Sequence, residues 1–257
     1  MENDSKNLAI KVAALHSNYH KEYLTAKKRS KPKDFKTALD FIFGMSFFQG
    51  RKDSLSKKFY EFAMQYVYSN NLSSIMPILR VNSTKEKKEK IIKKYRKKLI
   101  ELKNAGLKKK ADMIMVIDII GVANHVNKQY NINIVDYIVN EIKSGNLINI
   151  SNFLEDIYSI GPKISGLILR DIVHIYNLEN HIKSLEEYSL LQPIDTWVHQ
   201  VSLKIGIIQN EEIFKTEAIE ITKFCLKNEI NPLHYNEGAW YLGSQSFKMV
   251  LSTLLDK

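Results

Sequence analysis

One cysteine, five prolines, two tryptophans and no apolar run of bilayer length are what this 257-residue chain has least of. The single thiol, Cys225, excludes an intramolecular disulfide and falls short of the four thiolates that an iron–sulfur cluster usually takes. It reads as a core residue of the segment 211 to 227 rather than as a nucleophile. The longest apolar stretch, "MIMVIDIIGVA", is too short to span a bilayer and contains Asp118. The opening residues, "MENDSKNLAI", carry no basic stretch leading into an apolar run, as a targeting peptide would. There is no internal repeat and no Gly/Ser/Pro-rich linker. The expectation is a soluble intracellular protein, in the cytoplasm and nucleoid or in a nucleus.

Strand-like alternation is also scarce, and apolar residues recur at spacings of three and four, so the chain reads as all-α. A hydrophobic content of 44% is enough to bury a real core. The periodicity predicts helices at about 4–28, 34–49, 54–69, 84–104, 108–127, 133–144, 150–158, 164–178, 196–206, 211–227, 236–243 and 245–255. Asp34, Ser54, Ser83 and Ser151 stand at predicted helix starts, each with a side-chain oxygen for the unpaired amides there.

Charge is abundant, and the excess is of one sign. The formal net charge is +10 and the isoelectric point about 9.3. Residues 85 to 110, "KEKKEKIIKKYRKKLIELKNAGLKKK", hold thirteen Lys or Arg and three Glu, so this one segment carries the whole excess. Ile91, Ile92, Tyr95, Leu99 and Leu102 form an apolar stripe opposite the cations, which suits a solvated helix face. A face needing only solubility would mix signs. The segment therefore also suits a phosphate backbone, with Lys93, Lys94, Lys97 and Lys98 as the contacts. A membrane surface is the rival partner, but the stripe lacks the Trp and Phe expected of an interfacial helix.

The stretch "LEDIYSIGPKISGLILRDI" places Gly, Pro and Lys between two apolar helical segments. Ile157, Ile160, Ile164 and Leu167 fall at pairing positions, and a tight turn is expected to pivot on Gly161. Pro162 suits the first turn of the second helix, where its missing N–H would be unpaired anyway. The pattern is a helix–hairpin–helix, in which the turn's amides, at Ile160 and Gly161, and the positive helix end receive a DNA phosphate without reading a base. A chance Gly-Pro turn between two helices is the plain alternative.

Downstream, "QPIDTWVHQVSLKIG" sets Asp195 just before a further helix, where it could serve simply as an N-cap. Hairpin with lysine, then Pro-Ile-Asp-Thr, then an apolar helix ending Lys-Ile-Gly resembles the helix-hairpin-helix DNA glycosylases with a Gly/Pro…Asp element. Lyase members of that superfamily carry Leu-Pro-Gly-Val-Gly-x-Lys-x-Ala followed by Val-Asp-Thr-His. Lys163 falls on the family's lysine nucleophile and Asp195 on its essential aspartate. Ser159 replaces the first hairpin glycine, Ser165 the alanine after the lysine, and Trp197 the histidine. Lys163 and Asp195 are 195 − 163 = 32 residues apart, a spacing that looks more like the archaeal 8-oxoguanine glycosylase/lyase branch than the endonuclease III branch. "GMSFFQGRKDSLS" resembles the early family segment whose glutamine fills the space left by an extruded base. Gln49 would be that residue, or an ordinary helix-terminal Gln.

The resemblance implies a single glycosylase-like unit over residues 1–257, with two helical subdomains flanking a DNA-binding groove. The expected parts are a central subdomain at about 35–150, the hairpin and aspartate region at 150–206, and a second subdomain from 1–34 with 207–257. It implies base-excision repair: removal of a damaged base, an oxidised purine on the branch resemblance, with strand cleavage at the abasic site. Lys163 would attack C1′ as a neutral amine, forming a Schiff base, while Asp195 stabilises the developing positive charge on the sugar. A lysine in such a hairpin can instead contact phosphate without catalysis. Trp197 and Trp240 are candidates for the base pocket; for Tyr235, Trp240 and Tyr241 core packing is the default. His174 and His199, on apolar helices, read as satisfied core or surface groups. The implied partner is double-stranded DNA with a damaged base or abasic site, bound by a monomer, with no metal, cofactor or membrane. The alternative is a non-catalytic hairpin protein that recognises damaged or bent duplex.

Overall fold

A computed structural model describes residues 2–25, 31–47, 56–57, 60–61, 110–209 and 214–255. Among the described residues the secondary structure is entirely helical, and no helix is long and apolar enough to cross a membrane. The helices are α1 (Glu2–Ala14), α2 (His16–Tyr19), α3 (Phe35–Ser46), α4 (Lys110–Tyr130), α5 (Ile134–Lys143), α6 (Leu147–Glu155), α7 (Pro162–Tyr176), α8 (Leu185–Leu190), α9 (Thr196–Lys204), α10 (Phe214–Lys227) and α11 (Pro232–Leu255). A π-helical turn, His20–Leu24, continues α2, and a 3-10 turn, Glu179–His181, follows α7. The chain divides into two compact units, Lys31–Ile164 and Met1–Ser30 with Ser165–Lys257. The division falls in the first turn of α7.

In the unit of residues 31 to 164, α3 starts because Asp34 caps it. The Asp34 carboxylate accepts the Thr37 N–H at 2.8 Å, and the Thr37 hydroxyl oxygen accepts the Asp34 N–H. The apolar face of α3, with Leu39, Ile42, Phe43 and Met45, packs on α4 and α5. α5 is capped by Asn133 and buries Ile134, Val135, Ile138, Val139 and Ile142, a stripe with helical spacing. It ends in a Schellman turn. Gly145 takes φ +77°, its N–H donates to the Ile142 carbonyl, and the Asn146 N–H donates to Glu141. α6 follows at once and packs on α5.

In the other unit, α11 is the central rod, with α1, α2, α9 and α10 against it. Its core includes Ala9, Val12, Val198, Ile208, Ile221, Cys225, Ile230, Tyr235 and Ala239, all buried. Each large side chain of such a cluster contributes about 1.5–3 kcal/mol relative to leaving it in water. The buried Tyr235 hydroxyl hydrogen-bonds Ser202 at 2.9 Å, so its one polar atom is satisfied. Two glycines of α11 permit close approach: Gly238 against α1, and Gly243 against Trp197 of α9.

Several sequence expectations need correction. Ser151 caps nothing: it lies inside α6 and donates to Glu155, while the residue before the helix is Asn146. The predicted helices 236–243 and 245–255 are one helix. Gly243 lets α11 pass close to Trp197 and does not end it. The predicted helix 4–28 is interrupted at Leu15 and again by the π-helical turn. α8 was not foreseen. Ser54, Ser83 and the stripe from Ile91 to Leu102 lie outside the described residues.

Candidate functional site

α6 and α7 are joined by residues 156 to 161. The Asp156 N–H returns to the Asn152 carbonyl, Ile157 to Leu154, and Ile160 to Ile157 at 2.9 Å. Ile157, Ile160 and Ile164 are buried, whereas Tyr158, Ser159, Gly161 and Pro162 are exposed. The apolar spacing in the sequence and the inward face of the connection therefore agree.

The pivot, however, is Ser159. It takes φ +65°, in the left-handed region, while Gly161 does not. Left-handed backbone brings Cβ close to the following carbonyl oxygen, a strain of about 1–2 kcal/mol for a residue with a side chain. Ser159 thus holds the conformation that a glycine would favour at that position. The expected amides are corrected as well: Ile160 spends its N–H on Ile157 and its side chain is buried, so it offers nothing outward. The Gly161 N–H makes no hydrogen bond among the described residues. A Cβ added there would meet nothing within 4 Å. Internal packing does not require glycine at 161.

Lys163 is the second residue of α7 and is half-buried. Three residues on, Gly166 approaches the segment that leads to Asp195: a Cβ at Gly166 would stand 2.9 Å from the Leu190 carbonyl oxygen and 3.4 Å from the Pro193 nitrogen. The preceding Ser165 is fully buried, so the small residues after Lys163 serve this close approach. Asn236 of α11 also donates to the Pro193 carbonyl. Asp195 is the N-cap of α9. Its Oδ1 accepts the N–H groups of Trp197 and Val198, each at 3.0 Å, and its Oδ2 makes no hydrogen bond among the described residues.

The aromatic candidates are accounted for mainly by packing. Tyr235 is core. Trp240 meets the rings of Tyr19 and Tyr23 edge-on, at centroid distances of 5.6 and 5.1 Å. The Tyr241 hydroxyl donates to Glu22, and Trp197 backs onto Gly243. His199 pairs with Glu217 at 2.8 Å. Gln49, Lys93, Lys94, Lys97 and Lys98 lie outside the described residues.

A second polar centre was missed by sequence reasoning. Around Arg170, which is 2% exposed, gather Asp171 at 3.0 Å, the Tyr19 hydroxyl at 2.6 Å, Asn236 at 2.7 Å and Glu237 at 3.7 Å. Burial pushes the Tyr19 hydroxyl well above its usual range despite the neighbouring guanidinium. Beside this group lie four of the seven histidines: His16, His20, His174 and His234. His16 stacks on His234 at 3.8 Å. His174 is not the satisfied group expected: its Nδ1 is 3.2 Å from Glu179, but its buried Nε2 has no hydrogen-bond partner among the described residues. The hydrogen bond from His174 is the main influence holding Glu179 down at about 2. Burial, then the neighbouring His16, lowers His234 to about 4. The available signals were His16 and His20 at i, i+4 and His234 and Glu237 at i, i+3, each pair on one helical face.

Comparison with protein-family models, curated proteins and solved structures finds no match to this chain.

Proposed function

We propose that the chain is a DNA base-excision glycosylase with abasic-site lyase activity, with Lys163 as nucleophile and Asp195 as electrostatic partner. The observation that carries this reading is the backbone of Ser159. A non-glycine residue held at φ +65° keeps a glycine-type turn in front of a helix whose second residue is lysine. The exposed amide of Gly161, unpaired among the described residues, supports a phosphate contact at the turn, helped by the positive end of α7. The Oδ2 of Asp195 supports a charge role alongside the cap, because among the described residues only Oδ1 is engaged.

In the reaction proposed, the neutral Lys163 amine attacks C1′, and the C1′–N bond breaks with its electron pair leaving on the base, which takes up a proton. Positive charge develops on the deoxyribose, and a carboxylate about 4 Å away stabilises it by about 4 kcal/mol at an effective dielectric near 20. Opening of the sugar ring gives a Schiff base. Loss of the C2′ proton then expels the 3′ phosphate by β-elimination. Extrusion of the base costs least when it is damaged or mispaired, which favours lesions before any pocket is engaged.

One observation favours the second reading, a non-catalytic DNA-binding protein: as the N-cap of α9, Asp195 already has a sufficient structural role. Borohydride trapping separates the two. With duplexes carrying single lesions or an abasic site, the wild-type chain is expected to become covalently joined to DNA under reduction, and Lys163→Gln to bind without trapping. If Lys163→Gln is trapped as the wild type is, another amine is the nucleophile. If the wild type neither traps nor cleaves any lesion duplex, the binding reading prevails.

A further inference from the structure

We infer that His20, His174 and Glu237 form a binding site for one divalent transition-metal ion, zinc being the best fit. This goes beyond the glycosylase reading and does not depend on it, since all three residues belong to the unit of residues 1–30 and 165–257.

The donor atoms converge. His20 comes from the π-helical turn, His174 from the last turn of α7, and Glu237 from the second turn of α11. One donor atom from each lies within 4.8 Å of the others. His20 Nε2 is 2.9 Å from one oxygen of Glu237, and His174 Nε2 is 3.3 Å from the other. Tetrahedral zinc with bonds of 2.0–2.1 Å separates its donors by about 3.3 Å, so small side-chain movements would complete the geometry.

The surroundings of His174 are the stronger argument. Its Nδ1 faces the Glu179 carboxylate at 3.2 Å, a contact that orients the ring and turns Nε2 toward Glu237. Glu179 is itself held by Asn231 at 2.9 Å. His174 Nε2 and Oε1 of Glu237 face each other at 3.3 Å, and neither has a hydrogen-bond partner among the described residues. Both side chains are almost wholly buried, 2% and 0% exposed. Buried polar atoms left unpaired are costly, and a cation bound between these two would satisfy both. Carboxylate, histidine and metal in line is the usual arrangement around a bound zinc, and here the carboxylate and the histidine are in place.

Charge balance points the same way. Three carboxylates, Asp171, Glu179 and Glu237, gather around the one guanidinium of Arg170, with Glu179 at the partly exposed edge. An excess of carboxylates over cations at a largely buried site favours a bound cation. The Arg170 cation, whose Nε is 3.7 Å from Glu237 Oε1, is matched by Asp171 at 3.0 Å and leaves the far oxygen of Glu237 to His20. Two imidazoles and one carboxylate suit zinc, cobalt or nickel better than magnesium or calcium, which prefer all-oxygen sites. The His20 side chain is 23% exposed, so an ion has a route in from solvent. Three protein ligands leave a fourth position for water or another ligand, as in reactive rather than purely structural zinc sites.

The test uses the full chain stripped with chelator and titrated with Co²⁺, read by visible absorption, and with Zn²⁺, read by calorimetry and thermal melting. The expected result is one equivalent bound, the absorption bands of cobalt in low coordination, and a raised melting temperature with zinc. His20→Ala and Glu237→Gln should each weaken binding about 100-fold or more, and Glu179→Gln about 10-fold through the orientation of His174. His125→Ala, at an exposed position outside the cluster, should change nothing. If a core variant fails to fold by circular dichroism, His20→Ala, at the partly exposed ligand, carries the decision. No cobalt absorption and no zinc-dependent melting shift in the wild type would overturn the assignment and leave a proton-sharing network. So would wild-type affinity in His20→Ala. Loss in His234→Ala with none in His20→Ala would move the ion to the other face of His174 and equally sink this site.

Discussion

A Cβ added to Gly238 would lie 1.8 Å from the carbonyl oxygen of Val12. α1 and α11 therefore meet backbone to backbone at that point, and no rotamer change can relieve an added methyl. Gly238→Ala should destabilise the chain by about 3 kcal/mol, read as a lower denaturant midpoint with an unchanged slope. A midpoint equal to wild type would mean that the two helices slide apart without loss.

The turn before α7 allows stability and binding to be separated. Gly161 is in ordinary backbone space with nothing near its missing Cβ. Gly161→Ala should leave stability unchanged or raise it by about 0.5 kcal/mol through the unfolded chain. If a phosphate approaches that amide, the same variant should lose duplex affinity at every sequence tested. Equal affinity would remove the turn from the interface.

At Ser159 the prediction runs the other way. Ser159→Gly relieves left-handed strain and should retain binding, whereas Ser159→Val, β-branched in that conformation, should lower stability by about 1–2 kcal/mol. Chemical denaturation of the pair measures the difference. Equal stabilities would show that the turn has relaxed out of the left-handed region.

Asp195→Asn keeps the cap, since Asn caps about as well as Asp, and removes only the charge. Its melting temperature should stay close to wild type. Base release should slow by a large factor, because a positioned transition-state charge is typically worth several kcal/mol. Asp195→Ala also loses two amide hydrogen bonds and should cost about 1 kcal/mol of stability. Normal base release by the Asn variant would reduce Asp195 to a cap.

Acid should erase the Asp34 cap selectively. The hydrogen bond from the Thr37 backbone N–H, before any other influence, holds its carboxyl below the ordinary 3.8. A depressed folded value means that the contribution is fully present above pH 3.8 and is lost as pH falls through the folded value. The stability gap between wild type and Asp34→Ala should therefore be constant at neutral pH and narrow in strong acid, as thermal melts at each pH will show. A gap independent of pH would indicate that ionisation plays no part in the cap.

What could be read from the chain beforehand depended on how local the signal was. The α3 start was visible in Asp34 followed by apolar residues at helical spacing, because capping and periodicity act within one turn. α8 escaped notice since "LEEYSL" is short and polar, although Ser184 and Glu187 have capping-box spacing, and the two do cap each other's backbone. Residue type alone points to Gly161 as the pivot of the tight turn, whereas the left-handed residue is Ser159. Ser159 takes that conformation because the surrounding Ile157, Ile160 and Ile164 must all turn inward, which is a tertiary demand. The histidine cluster could not be seen in the sequence for the same reason. Its members come from residues 16–20, 174–179 and 231–237, and only the packing of α2 on α11 and the side-chain contacts from α7 to α11 bring them to one place.

Cys225 sits fully buried in α10, and burial pushes its thiol up to about 12. Near neutral pH it is almost wholly unionised and shielded, so alkylating reagents have little to react with. The wild-type chain is thus a silent background for thiol chemistry. A cysteine introduced at the exposed Tyr158 would be the one addressable sulfur, and a dye or spin label there could follow events at the turn without any other cysteine having to be removed first.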